Sequence, residues 1–162
     1  MSYIIIDNFL SFDDHLKIKT EMMDTKNFPW YYCPTVAYTG IEEDSFYFSH
    51  LFYDTPYIKT NFFEMISPLI AKVDAKSLIR VKGNLYTNMG KWIDNGMHVD
   101  YDYQHKGAVY YVNTNNGYTV LEDGTKIDSI ANRIVFFDSS KPHHSTHCTD
   151  EKVRVNINMN YF

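Results

Sequence analysis

Val153-Arg154-Val155-Asn156-Ile157-Asn158-Met159-Asn160-Tyr161 alternates apolar and polar residues without a break. Successive side chains of an extended strand project to opposite faces, so Val153, Val155, Ile157, Met159 and Tyr161 form one face and Arg154, Asn156, Asn158 and Asn160 the other. If the apolar face packs on helices, the polar face points into a barrel. A guanidinium buried there needs an anion to offset its lost hydration, whereas on a solvated outer face it would need none. Upstream, Arg80, Lys82, Asn84 and Tyr86 alternate with Val81 and Leu85, which puts Asn84 and Tyr86 on a shared face. From Leu78 onward short alternating runs are separated by turn signals at Asn88-Met89-Gly90, Asp94-Asn95-Gly96, Asn115-Asn116-Gly117 and Glu122-Asp123-Gly124. That rhythm belongs to a β-barrel or jelly roll.

The first half of the chain reads differently. A strand is expected over Tyr3–Asp7, followed by a helix from an N-cap at Ser11 to about Met23, with Asp13 and Asp14 in its first turn. Phe28-Pro29-Trp30-Tyr31-Tyr32 reads as an extended aromatic segment. Ile58, Phe62, Met65, Ile66, Leu69 and Ile70 have helical spacing, which predicts a second helix over Tyr57–Val73, interrupted by Pro68. Aromatic residues make up 17% of the chain and suit half-buried pleated surfaces, so strands are favoured over helices. With 162 residues and no linker, repeat or low-complexity tract, residues 1–162 are expected to form one domain, mainly β with flanking α.

Composition narrows the function classes. A net charge of −5 gives no general footprint for a nucleic-acid backbone, which disfavours indiscriminate DNA or RNA binding. Cys33 and Cys148 lack CxxC spacing and are too few for a disulfide framework, so reduced thiols are expected. No apolar run approaches the roughly 20 residues needed to span a bilayer, and Met1-Ser2-Tyr3 does not open a leader peptide. These features predict a soluble, cytoplasmic protein without membrane partners.

His98-Val99-Asp100 supplies chemistry. In an extended segment residues i and i+2 project the same way, so one imidazole and one carboxylate can converge. A third ligand from a distant strand, His143 or His144, would complete a two-histidine, one-carboxylate facial triad and leave the opposite face of a metal open. Five of the seven histidines, His98, His105, His143, His144 and His147, fall in the final two fifths of the chain, which favours a shared site over scattered surface imidazoles.

Taken together, Asn84-Leu85-Tyr86, Gly90, His98-Val99-Asp100, Tyr110-Tyr111-Val112-Asn113, Asn132 to Asp138, Pro142-His143 and Arg154 resemble the iron(II)/2-oxoglutarate-dependent oxygenases. The similarity is greatest to the small prolyl-hydroxylase-like and phage-type members, and Tyr3 to Leu10 resembles the start of such domains. The resemblance implies a double-stranded β-helix (a jelly roll, cupin-like) with helices on one side. It implies Fe(II) held by His98, Asp100 and His143, with 2-oxoglutarate and dioxygen as co-substrates. His143 is preferred to the alternative, His144, because Ser145 follows it by two, as in similar sequences. Arg154 would pair with the distal carboxylate of 2-oxoglutarate, Tyr86 would offer a hydroxyl, and Asn84, Asn156 or Asn158 would add hydrogen bonds. His147 is the third choice for the last metal ligand, after His143 and His144, and is otherwise expected around the site or exposed.

The implied reaction hydroxylates a C–H bond and releases succinate and carbon dioxide. Its substrate by this resemblance is a prolyl or other protein side chain; a nucleobase, an amino acid or a small metabolite stays open. Trp92, Tyr101 and Tyr103 would flank the site as a substrate rim or pack on neighbouring strands, and Lys91 to Met97 would form a loop beside it. Two other classes compete. Three histidines suit a zinc hydrolase, and a jelly roll without metal suits a non-catalytic binding module, but neither employs Arg154 or the Asn84–Tyr86 pair.

Overall fold

The computed structural model describes residues 3–35 and 45–162; Met1 and Ser2 of the opening segment lie outside them. The strands are β1 (Ile4–Ile6), β2 (Tyr31–Cys33), β3 (Tyr47–Asp54), β4 (Tyr57–Ile58), β5 (Leu78–Thr87), β6 (Lys106–Tyr111), β7 (Tyr118–Leu121), β8 (Lys126–Asp128), β9 (Arg133–Asp138), β10 (His143–Ser145) and β11 (Val153–Tyr161). Among the described residues two α-helices, α1 (Phe12–Lys19) and α2 (Ser67–Val73), precede β5. No helix among the described residues is long and apolar enough to cross a membrane.

β11 lies near the middle of an antiparallel eight-stranded sheet ordered β1-β9-β6-β11-β5-β3-β2, with β4 paired to β3. A smaller sheet, β10-β7-β8, faces it. The alternation of β11 sets the layers as expected. Val155, Ile157, Met159 and Tyr161 join Ile18, Met22, Phe52, Ile66 and Leu69 in the core under the helices. Val109, Tyr111, Val135 and Phe137 pack with Leu121 and Ile127 between the sheets. The arrangement is a double-stranded β-helix with helices on one face.

Local expectations hold in most places. The Ser11 hydroxyl accepts a hydrogen bond from the Asp14 amide at 3.2 Å, capping α1. A wider π-helical turn, Thr20–Asp24, continues it to the expected end. The Glu122–Gly124 turn joins β7 to β8 with Gly124 at φ 82°, and Gly90 after β5 has φ 71°. The helix expected over Tyr57–Val73 is corrected. Tyr57 and Ile58 form a hairpin strand against Tyr53 and Asp54, Phe63–Ile66 is a 3-10 turn, and only Ser67–Val73 is α-helical. Pro68 starts that helix instead of interrupting it, where a missing N–H costs nothing because first-turn amides have no helical acceptor.

Candidate active site

Antiparallel register puts the inward residues of β5 and β11 in pairs: Tyr86 opposite Arg154, Asn84 opposite Asn156, Lys82 opposite Asn158 and Arg80 opposite Asn160. This polar floor faces the small sheet. His98-Val99-Asp100 does not form the regular strand expected of it. His98 makes a single bridge with His143, donating to its carbonyl at 3.0 Å and accepting from its amide at 2.9 Å. That reciprocal pair brings two imidazoles, 45 residues apart in sequence, to a ring separation of 4.8 Å.

Ligand atoms of His98, Asp100 and His143 all lie within 4.8 Å of one another. Each imidazole uses Nδ1 on a backbone carbonyl, His98 on Gly96 at 3.2 Å and His143 on Lys141 at 2.9 Å. An Nδ1–H donor leaves the Nε2 lone pair free, the form a metal requires. His144 is placed differently, its Nδ1 2.5 Å from the Asp94 carboxylate. Two imidazole nitrogens and one carboxylate are the donor set of an open iron(II) site, so the residues present fit that metal.

Asp100 is held on every side. Its Oδ1 accepts from Arg80 at 2.9 Å, and Oδ2 accepts from Ser139 and Asn160 at 2.8 Å and from Asn158 at 3.3 Å. Burial favours its neutral form, but His143, Arg80 and the Asn160 and Ser139 hydrogen bonds outweigh burial and hold the carboxyl below the ordinary carboxylate value. Burial lowers His143. A carboxylate beside a neutral imidazole is the protonation state a cation needs.

Arg154 is fully buried. Its Nε donates to Ser129 at 2.8 Å and one terminal nitrogen, Nη2, to Thr119 at 3.1 Å, while Nη1 has no partner. The guanidinium lies 5.4 Å from the Tyr86 ring centroid and 5.7 Å from that of Tyr111. Among the described residues no carboxylate pairs with it. Thr119 and Tyr86 line the same small cavity as Asn84, His98, His143, Asn156 and Asn158. Asn84 donates to Asn156 at 2.9 Å and keeps its own carbonyl oxygen unpartnered.

Gly117 makes room for Arg154: a Cβ there would stand 2.6 Å from the Arg154 Cδ and 2.9 Å from the His147 carbonyl oxygen. Gly117→Ala is therefore expected to destabilise the fold by about 1–3 kcal/mol, read as a lower urea midpoint. An unchanged midpoint would show that Arg154 moves aside freely.

Other candidates have structural partners. His105 is buried, with Nδ1 2.8 Å from the Tyr103 carbonyl and Nε2 3.2 Å from Asn160. His147 is buried too, its Nδ1 2.8 Å from the Thr87 carbonyl and its ring against Tyr86. Trp92 lies on Tyr118, and Tyr101 stacks between Arg80 and Tyr103. Sequence reasoning assigned no part to Arg80, Ser139 and Asn160 around Asp100. The alternation of β5 and β11 put Arg80 and Asn160 on the right face; the missing information was the pairing register.

Solved structures share this fold, among them three prolyl hydroxylases. A prolyl hydroxylase from Trichoplax adhaerens in complex with a hypoxia inducible factor oxygen degradation domain peptide fragment superposes with a TM-score of 0.69 at 16% identity, over 99% of this chain and 83% of that one. The viral collagen prolyl hydroxylase of Paramecium Bursaria Chlorella virus-1, in its 2-oxoglutarate complex, gives 0.64 at 15% over 99% and 95%. The fold is that of the 2-oxoglutarate oxygenases. A prolyl-4-hydroxylase from Pseudomonas putida gives 0.61 at 15% over 98% and 91%. No family model and no curated protein matches the sequence. Identities this low establish the oxygenase fold and leave the chemistry to the site.

Proposed function

We propose that the chain is an iron(II)- and 2-oxoglutarate-dependent dioxygenase that hydroxylates a C–H bond, with His98, Asp100 and His143 as metal ligands and Arg154 as the anchor of the 2-oxoglutarate distal carboxylate. The observation that carries this reading is the Arg154 guanidinium, fully buried, with one terminal nitrogen unpartnered and no carboxylate partner among the described residues. An isolated buried cation is costly unless an anion joins it. A dicarboxylate reaching past Thr119 and Tyr86 supplies that anion.

Iron(II), when bound, supplies the oxidising chemistry and couples decarboxylation of 2-oxoglutarate to substrate oxidation. The chain's residues bind, orient and exclude water. The Gly96 and Lys141 carbonyls fix the two imidazoles with Nε2 toward the metal. Arg80, Ser139 and Asn160 keep Asp100 ionised and turned into the site. Arg154 and the Tyr86 hydroxyl receive the far end of the co-substrate, and Asn84 and Asn156 complete its hydrogen bonds. Val109 and Thr119 add to the cavity lining. The substrate of this reading is a prolyl or other protein side chain; support comes from the similarity to a prolyl hydroxylase solved with a peptide.

Anaerobic addition of iron(II) and then 2-oxoglutarate to the apo-protein is expected to produce a visible metal-to-ligand charge-transfer band, absent from His98→Ala. A folded protein that gives no band would overturn the assignment and favour a zinc hydrolase or a non-catalytic module.

A further inference from the structure

We propose that Lys82, together with the Tyr47 hydroxyl, is the docking point for a carboxylate on the substrate. The inference rests on the oxygenase reading and specifies the substrate class of that site. Lys82 points inward from β5, between Arg80, which grips Asp100, and Asn84, which lines the cavity. Across the sheet it pairs with Asn158, which lines the same cavity and also donates to Asp100. Side chains at such paired positions stand next to each other, so the Lys82 stem lies beside a residue that touches Asp100.

Each inward cation of this floor except Lys82 has an assigned anion. Arg80 is answered by Asp100, and Arg154 by the co-substrate. Among the described residues Lys82 has no ion pair; its amine donates to the Tyr47 hydroxyl at 3.3 Å and lies 5.4 Å from that ring. Its charged neighbours are Arg80 and Asp100, with the Cys33 thiol nearby on β2. Burial first, then the Arg80 charge, pulls its pKa down to about 8, as expected of a cation without a counter-ion.

Tyr47 is equally prepared. It stacks on Tyr86 with centroids 5.6 Å apart. Burial, with Tyr86 next in effect, holds its phenol above the ordinary value, so it stays a neutral hydroxyl able to donate. One ammonium and one hydroxyl satisfy a singly charged carboxylate, whereas a phosphate dianion would need more donors. The carboxylate can come from an acidic side chain in a peptide or from a free organic acid.

The test uses the anaerobic iron(II)·2-oxoglutarate holoprotein and a paired library of acidic peptides and free carboxylic acids, each with its carboxamide twin. Binding next to the metal is read as a shift of the charge-transfer band, and turnover as succinate release. Shifts are expected only from the acids. Lys82→Met should weaken them at least tenfold, and Lys82→Arg should restore most of that loss. Peptide or free-acid hits identify the source. Equal shifts from acid and amide, no shift from any member, or an unchanged affinity in Lys82→Met would overturn the docking point while the oxygenase reading stands. Failure of the band to form at all would remove that reading instead.

Discussion

Arg154→Met is expected to abolish 2-oxoglutarate binding while leaving iron binding and the fold in place. Removing the cation that would pair with the buried distal carboxylate costs about 2–5 kcal/mol, about thirtyfold or more in Kd. The stability effect runs the other way. Wild-type apo-protein buries the guanidinium with Nη1 unpartnered, held by Ser129 and Thr119 alone. Exchanging an incompletely paired buried ion for an apolar side chain of similar volume is often neutral or stabilising, so apo Arg154→Met should melt no lower than wild type. With 2-oxoglutarate at about a hundred times its Kd, linkage stabilises wild type by about 2.7 kcal/mol. For a domain of this size that raises Tm by roughly 5–10 °C. The variant should show no rise. A retained rise would place the anchor elsewhere, and a fall of several degrees without ligand would make Arg154 a structural residue.

His143→Ala and His144→Ala should separate cleanly. His143 shares its backbone bridge with His98, frees Nε2 and stands 3.7 Å from Asp100. Its loss leaves two ligands, and iron affinity is expected to fall by at least a hundredfold in an anaerobic competition titration. His144, turned to the exposed Asp94, should alter iron affinity by less than threefold. Asp100→Ala should lose the metal as well, and it also strands Arg80. Removing one member of a buried pair costs about 3–5 kcal/mol, so that variant should melt well below wild type. If His144→Ala loses iron and His143→Ala retains it, the triad is wrongly assigned.

The fold and the candidate site are legible in the sequence where one physical rule acts alone. β11 has one face on helices and the other in the barrel, so period-two alternation shows without interruption. Residues 98 and 100 lie two apart, and their joint projection survives although the segment is not a regular strand. β3 hides because both its faces are covered: Tyr47, His50 and Phe52 are buried, and polar and apolar residues do not alternate along Tyr47–Asp54. Tyr57 and Ile58 match helical spacing by coincidence, and pairing with Tyr53 and Asp54 decides otherwise. The support around Asp100 comes from β5, β11 and the residue after β9, and such convergence is a property of register, which no local pattern encodes.

The backbone bridge between His98 and His143 bears on how the site is filled. The cavity offers about 40 Å³, room for a few water molecules and not for a ten-atom acid. Its outer wall, the segment from Ile93 to His98, is fastened to β10 and its flank by the Asn95 to Ser145, His98 to His143, His143 to His98 and His147 to Ile93 hydrogen bonds. Within that wall only Ile93 and Asn95 are buried, while Asp94 and Met97 are exposed, so little apolar surface anchors it. Segments held by few buried contacts open first, at a free energy far below that of global unfolding. One of the proposed ligands, His98, ends this wall, Asp100 follows two residues on, and His143 sits on the strand it closes against, so the metal ion would act as the latch. In the empty protein the wall's amides should trade hydrogen with solvent early; in the loaded one they should become as slow as the sheet itself.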